Sequence, residues 1–130
     1  PKPEVTYHFD LPDDDHCLIN LHKRYFTMML YALVSNAHKF TEQGTVTICC
    51  KVLDDYFEFS IADSGKGIPE NKREWIFERF TKIDPYSSGT GLGLYLCRLI
   101  TDRVKGKIWL DTTYTGGAKF VFTMPCSKYC

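Results

Sequence analysis

The apolar residues of this chain change period partway along, and that change limits its fold more than any other feature. From about Asn20 to Phe40, the residues Phe26, Met29, Leu30, Leu33, Val34 and Ala37 recur at helical spacing, which predicts an amphipathic helix. After Gly44 the period becomes two. Val46, Ile48, Cys50 and Val52 fall on alternate positions, and so do Phe57, Phe59 and Ile61 beyond Asp54 and Asp55. Two alternating runs separated by a turn predict a hairpin. A helix with one apolar stripe and a hairpin with one apolar face can each cover the other.

The remaining segments extend this design. Val5 to Phe9 reads as a strand followed by the acidic turn "LPDDD", and Pro69 begins a short helix over Glu70 to Glu78. Thr81 to Ser88 has no period and reads as a loop running into glycines. Leu92, Leu96, Leu99 and Ile100 then share one face of a second long helix, starting near Gly91 and ending near Gly106. Lys107 to Thr112 and Lys119 to Met124 read as strands joined at "TGG", and the tail "CSKYC" carries no pattern. The order predicts an α+β fold: a two-layer α/β sandwich of about five strands with helices on one face.

A chain of 130 residues is the size of one domain. Lys plus Arg and Asp plus Glu both number 16, so the basic footprint of a nucleic-acid binder is absent and any polyanion partner is expected to be small. The six cysteines, Cys17, Cys49, Cys50, Cys97, Cys126 and Cys130, form neither a C-x-x-C pair nor a zinc spacing. Three of them, Cys49, Cys50 and Cys97, lie in apolar elements, as free thiols do in a reducing, cytosolic environment. No run approaches the roughly 18 to 20 apolar residues that span a bilayer, and no basic-then-apolar leader opens the chain. Its first residue is Pro1, which suggests a segment of a longer polypeptide.

Four stretches could carry chemistry. At about 100° per residue, Ala32, Asn36 and Lys39 fall within about 60° of one another, beside the apolar stripe of the first helix. Asn36 offers a carbonyl oxygen suited to Mg²⁺ and Lys39 a point charge suited to phosphate, although both also suit a solvent-facing flank. In "IADSGKGIP" a strand ends at Asp63, with Gly65 and Gly67 at intervals of two. That carboxylate could accept a hydrogen bond from the amine of an adenine ring lying on the glycines, or could simply close an Asx turn. In "IFERFTKID" the cations Arg79 and Lys82 accompany Phe77 and Phe80, either as a solvated face or as a lid over a triphosphate. In "SSGTGLGLYLC" the glycines 89, 91 and 93 precede a helix whose first N–H groups favour an anion. G-x-G-x-G after a loop, near the end of the chain, does not fit a dinucleotide fingerprint, and a Walker loop fails because Leu94 and Tyr95 follow Gly93.

Taken together and in order, "NAHKFT", "DSGKGIP", "FERF" and "GTGLGL" resemble the N, G1, F and G2 boxes of the catalytic ATP-binding domain of bacterial sensor histidine kinases. These belong to the GHKL, or Bergerat-fold, superfamily, and the resemblance covers roughly residues 5 to 125. It implies a mixed sheet of about five strands backed by three helices. Residues 1 to 130 would be one catalytic domain, with the dimerisation and phosphoacceptor domain outside this chain. By the resemblance, Asn36 holds Mg²⁺, Lys39 touches phosphate, Asp63 binds the adenine amine, and Gly65, Gly67 and Ile68 shape the base pocket. Arg79 or Lys82 reaches the γ-phosphate, and Gly89, Thr90, Gly91, Leu92 and Gly93 wrap the phosphates and anchor the lid.

The implied activity is transfer of the γ-phosphate of ATP to a histidine on a preceding dimerisation helix, since His8, His16, His22 and His38 lack the acceptor's H-E-x-x-x-P context. The implied partners are ATP, that dimerisation domain and a response-regulator receiver, with no nucleic acid. The full-length protein would be a homodimeric, membrane-associated sensor whose catalytic domain is cytoplasmic, and the isolated domain a monomer. One turn before Asn36 the family usually has a second Asn, and the related water-activating ATPases a Glu; here stands Ala32, which has no proton-accepting atom. That departure keeps open a degenerate module that binds nucleotide or a partner without transferring phosphate. A serine-directed kinase of the same superfamily is the remaining alternative.

Overall fold

The computed structural model describes residues 5–10, 18–20, 23–41, 43–52, 56–78, 93–125 and 127–129. Strands β1 (Val5–Asp10) and β2 (Leu18–Asn20) precede helix α1 (Lys23–Phe40), and β3 (Gly44–Val52) and β4 (Tyr56–Asp63) follow it. After a single 3-10 turn at Glu70–Lys72 come helix α2 (Gly93–Arg103) and the strands β5 (Lys107–Leu110), β6 (Lys119–Pro125) and β7 (Ser127–Tyr129).

Five strands form one sheet in the order β1-β3-β4-β6-β5, with β1 parallel to β3 and the other three pairings antiparallel. The mixed sheet of about five strands is therefore present, with an antiparallel set of four at its heart. Alternation along β4 turns Phe57, Phe59, Ile61 and Asp63 to one face. Across the sheet, Phe59 stands opposite Cys50 on one side and Phe122 on the other, and the rings of Phe59 and Phe122 stack with centroids 5.0 Å apart.

Helix α1 lays Met29, Leu33 and Ala37, each one turn after the last, onto that face, and all three are buried. Helix α2 adds Leu94, Cys97 and Ile100, packing against α1 and against β5 and β6. No helix of the described residues is long and apolar enough to cross a membrane.

Four sequence expectations change. The first helix begins at Lys23 rather than near Asn20, because Asn20 pairs with Ser127 in a separate two-stranded sheet of β2 and β7. The patternless tail thus supplies a strand. The expected helix over Glu70 to Glu78 is a 3-10 turn followed by successive turns, held by i→i+3 bonds such as Lys72 N–H to Pro69 C=O (2.9 Å) and Trp75 N–H to Lys72 C=O (2.9 Å). Ile76 is its one buried residue among positions 70 to 78, with Phe77 set edge-on to Phe120, so no apolar stripe sustains an α-helix there. The α-helices of the described residues accordingly number two, not three.

Strand β5 stops at Leu110, short of Thr112, because Asp111 Oδ1 accepts from both the N–H and the hydroxyl of Thr113 and closes a turn. The expected loop from Thr81 to Ser88 and the hairpin turn at Asp54 and Asp55 lie outside the described residues.

Candidate functional site

The parity that buries Phe57, Phe59 and Ile61 also carries Asp63 to the helix-covered face, at the point where β4 ends. A carboxylate arriving there needs donors, since burial without them is expensive. Asp63 Oδ1 receives two: the N–H of Gly65 at 3.0 Å and the N–H of Ala118 at 3.2 Å. Its Oδ2 accepts no hydrogen bond from the described residues. One oxygen is committed to holding the side chain in place, and the other has no donor among the described residues. Burial raises the pKa of Asp63, while the two N–H donors pull it down.

Glycines let the chain close around this carboxylate. Gly67 has φ +73°, and a Cβ on it would lie 3.2 Å from the Gly117 carbonyl oxygen. Gly117 has φ +153°, and a Cβ there would run into the carbonyl oxygen of Asp63 and stand 2.8 Å from its Oδ1. Farther along, Ile68 is buried, and its carbonyl accepts from Arg73 Nε at 3.3 Å, tying the segment after Asp63 to the 3-10 turn. Ser64 fastens the same segment to β3, its N–H donating to Thr45 C=O at 3.0 Å and its Oγ accepting from Thr45 N–H at 2.8 Å.

The opposed pKa shifts in this region predict a titration pattern. Asp63 should titrate above the ordinary carboxylate value and Asp111 below it, the latter because the Thr113 hydroxyl and N–H hold its ionised form. By linkage, the stability from Asp63 is present below its unfolded-state value and is lost as pH rises through its raised folded value. That from Asp111 is present above its unfolded-state value and lost as pH falls through its lowered one. Carboxyl-carbon NMR across the acid range measures both, and a common midpoint for the two groups would refute the burial argument.

The second part of the site is the seam between the helices. Gly93 begins α2, and a Cβ on it would touch the Ala32 Cβ at 3.9 Å, so the N-terminus of α2 abuts the flank of α1 one turn before Asn36. No acidic side chain occupies the first turn of α2, whose free N–H groups and dipole favour an anion. Asn36 is half-buried on that flank, and Lys39, also half-buried, lies in the last turn of α1. Among the described residues no three His, Cys, Asp or Glu gather as a metal cage. A lone amide oxygen beside a helix N-terminus fits Mg²⁺ that arrives with phosphates and keeps water in its shell.

Of the residues singled out from sequence, Asp63, Gly65, Gly67 and Ile68 come together at the end of β4, and Asn36 and Gly93 lie along the helix seam. Arg79, Lys82, Gly89, Thr90, Gly91 and Leu92 lie outside the described residues. Sequence reasoning missed Tyr114, Gly117 and Ala118, which reach Asp63 from the β5–β6 connection. Their only signal was "TGG", which reads as an ordinary turn.

A family model described as histidine kinase-, DNA gyrase B- and HSP90-like ATPase matches residues 22–128. Among curated proteins, the chain is 39% identical over 120 residues to the adaptive-response sensory kinase SasA of Nostoc sp. (strain PCC 7120), covering 89% of this chain and 30% of the relative. It is 31% identical over 118 residues to the sensor protein EvgS of Escherichia coli O157:H7, covering 85% of this chain and 10% of the relative. The chain thus spans less than a third of the length of either relative. Among solved structures, a nucleotide-free catalytic domain of the histidine kinase ThkA superposes with a TM-score of 0.79 at 31% identity, covering 94% of this chain and 79% of that one. Full-length ShkA in complex with AMPPNP superposes with a TM-score of 0.80 at 27% identity, covering 95% of this chain and 26% of that one.

Proposed function

Because the chain belongs to the family of histidine kinase-, DNA gyrase B- and HSP90-like ATPases, we propose that it binds ATP with Mg²⁺ and donates the γ-phosphate to a histidine. That histidine sits on a separate dimerisation domain of a longer, homodimeric sensor kinase, and a response-regulator receiver takes the phosphate onward. The observation that carries the reading is the Asp63 carboxylate, with Oδ1 fixed by two backbone N–H groups and Oδ2 open. An open carboxylate oxygen accepts from the exocyclic amine of adenine, and guanine presents a carbonyl at the same place. Gly65, Gly67 and Ile68 would form the surface on which the base lies.

In this reading the phosphates extend toward the N-terminus of α2, where the N–H groups at Gly93 and those of Gly89, Thr90, Gly91 and Leu92 before it enclose them. Lys39 offsets phosphate charge, and Arg79 or Lys82 approaches the γ-phosphate. Asn36 would hold Mg²⁺, which neutralises charge developing on the transferring group. The chain's own contribution is positioning: it fixes base and phosphates so that an imidazole from outside can attack in line. The domain would work on the cytoplasmic side of a membrane-associated sensor.

Ala32 favours a competing reading, in which the module binds nucleotide and transfers nothing. A single experiment separates them. Full-length protein incubated with γ-labelled ATP should take up label that is acid-labile and stable to base, as phosphohistidine is. Nucleotide binding without label would favour the competing reading, and acid-stable label would point to a serine-directed kinase.

A further inference from the structure

In an antiparallel ladder, a hydrogen-bonded pair of residues exchanges two bonds, each N–H donating to the other's carbonyl. The β4–β6 register runs Ala62 against Lys119, so the next pair is Asp63 against Ala118. Half of that rung is regular: Asp63 N–H donates to Ala118 C=O at 2.8 Å. The other half is diverted. Ala118 N–H donates to the Asp63 carboxylate at 3.2 Å instead of to the Asp63 carbonyl. That carbonyl accepts instead from the hydroxyl of Tyr114, 51 residues away in sequence, at 3.0 Å.

The two acceptors of Asp63, carbonyl and carboxylate, therefore compete for one N–H. A carbonyl near the protein interior needs a donor, so without another source it would reclaim Ala118 N–H and close the rung. We propose that Tyr114 is a positioning residue for adenine recognition: by satisfying the Asp63 carbonyl it keeps the Ala118 N–H on the Asp63 carboxylate. This rests on the reading of Asp63 as the base contact. The half-buried ring of Tyr114 belongs to the β5–β6 connection, and the absent side chain of Gly117 lets that connection come down onto Asp63. Burial and, after it, the Asp63 charge raise the Tyr114 hydroxyl above its ordinary value, as expected for a phenol held beside that residue.

Tyr114→Phe removes the hydroxyl and keeps the ring. ADP affinity by calorimetry should fall about 3- to 10-fold, the scale of one hydrogen bond, and the preference for ADP over GDP should shrink with it. In ligand-free protein, the Ala118 amide resonance should follow the titration of Asp63 in the wild type and lose that response in Tyr114→Phe. The Asp63 midpoint should also move upward as a donor is lost.

An amide response and an ADP affinity both unaltered in Tyr114→Phe would overturn the proposal, and so would a lost amide response with no change in ADP affinity. A wild-type measurement guards against a variant that misfolds: scalar coupling across the bond from Ala118 N–H to the Asp63 carboxyl carbon should be detectable, and its absence overturns the proposal too. If wild-type protein bound no adenine nucleotide, the functional reading would fall, while the ligand-free arms would still decide whether Tyr114 holds the rung open.

Discussion

Replacing Asp63 by Asn should weaken ADP and ATP binding by about 10- to 150-fold while leaving the fold as stable as before or slightly more so. The asymmetry between the two oxygens explains both halves of that expectation. An Asn oxygen at the Oδ1 position still accepts from Gly65 and Ala118, so the local structure survives. At the Oδ2 position the acceptor becomes an NH₂ group, a donor facing the donor of the adenine amine. The lost bond is charge-assisted, worth roughly 1.5–3 kcal/mol, and about 1.4 kcal/mol is tenfold in affinity.

The stability sign follows from burial. The pKa of Asp63 is raised, so its ionised form at neutral pH opposes folding, and a neutral amide removes that opposition. Calorimetry with ADP and a thermal melt of the same sample measure the two effects. Unchanged affinity would remove Asp63 from the base site. A melt lowered by many degrees would mean that the carboxylate is needed for the fold itself.

How far the site could be read from sequence depended on whether a residue's role was set by its own neighbours. Asp63 was legible because alternation from Phe57 onward fixes which face its side chain takes, whatever packs on it. Met29, Leu33 and Ala37 were legible as a buried stripe for the same reason, and α1 carries Asn36 and Lys39 wherever that stripe settles. The start of α1 was not legible, since β2 exists through its pairing with Ser127–Tyr129, more than a hundred residues away.

Glu70 to Glu78 reads as a helix because Pro69 and polar residues allow either kind of turn, and the choice lies with Ile76, the one side chain there with a buried place to go. Tyr114 and Gly117 were hidden more deeply. The bond from Tyr114 spans 51 residues and the bond from Ala118 spans 55. No local pattern announces that a turn glycine is small because a distant carboxylate lies under it.

That last point gives the second large effect. Gly117→Ala should destabilise the fold by about 2–6 kcal/mol and remove most nucleotide binding with it. Two costs combine: φ +153° is a backbone conformation that side chains rarely adopt, at roughly 1–3 kcal/mol, and a methyl group driven into Asp63 adds roughly 1–3 kcal/mol of overpacking. The neighbouring glycine is the control. A Cβ on Gly116 would meet the Tyr114 hydroxyl at 3.5 Å, an ordinary contact. Gly116→Ala should therefore be nearly neutral, or stabilising by about 0.4–1 kcal/mol through the unfolded chain. Denaturant unfolding of the two variants side by side measures the difference, and ADP calorimetry reports whether the Asp63 pocket survives. Equal midpoints with intact binding would mean that the β5–β6 connection does not approach Asp63 closely, and the argument for Tyr114 would fall with it. A large gap would show that Gly117 carries the combined cost of its backbone conformation and its contact with Asp63, because Gly116 has neither.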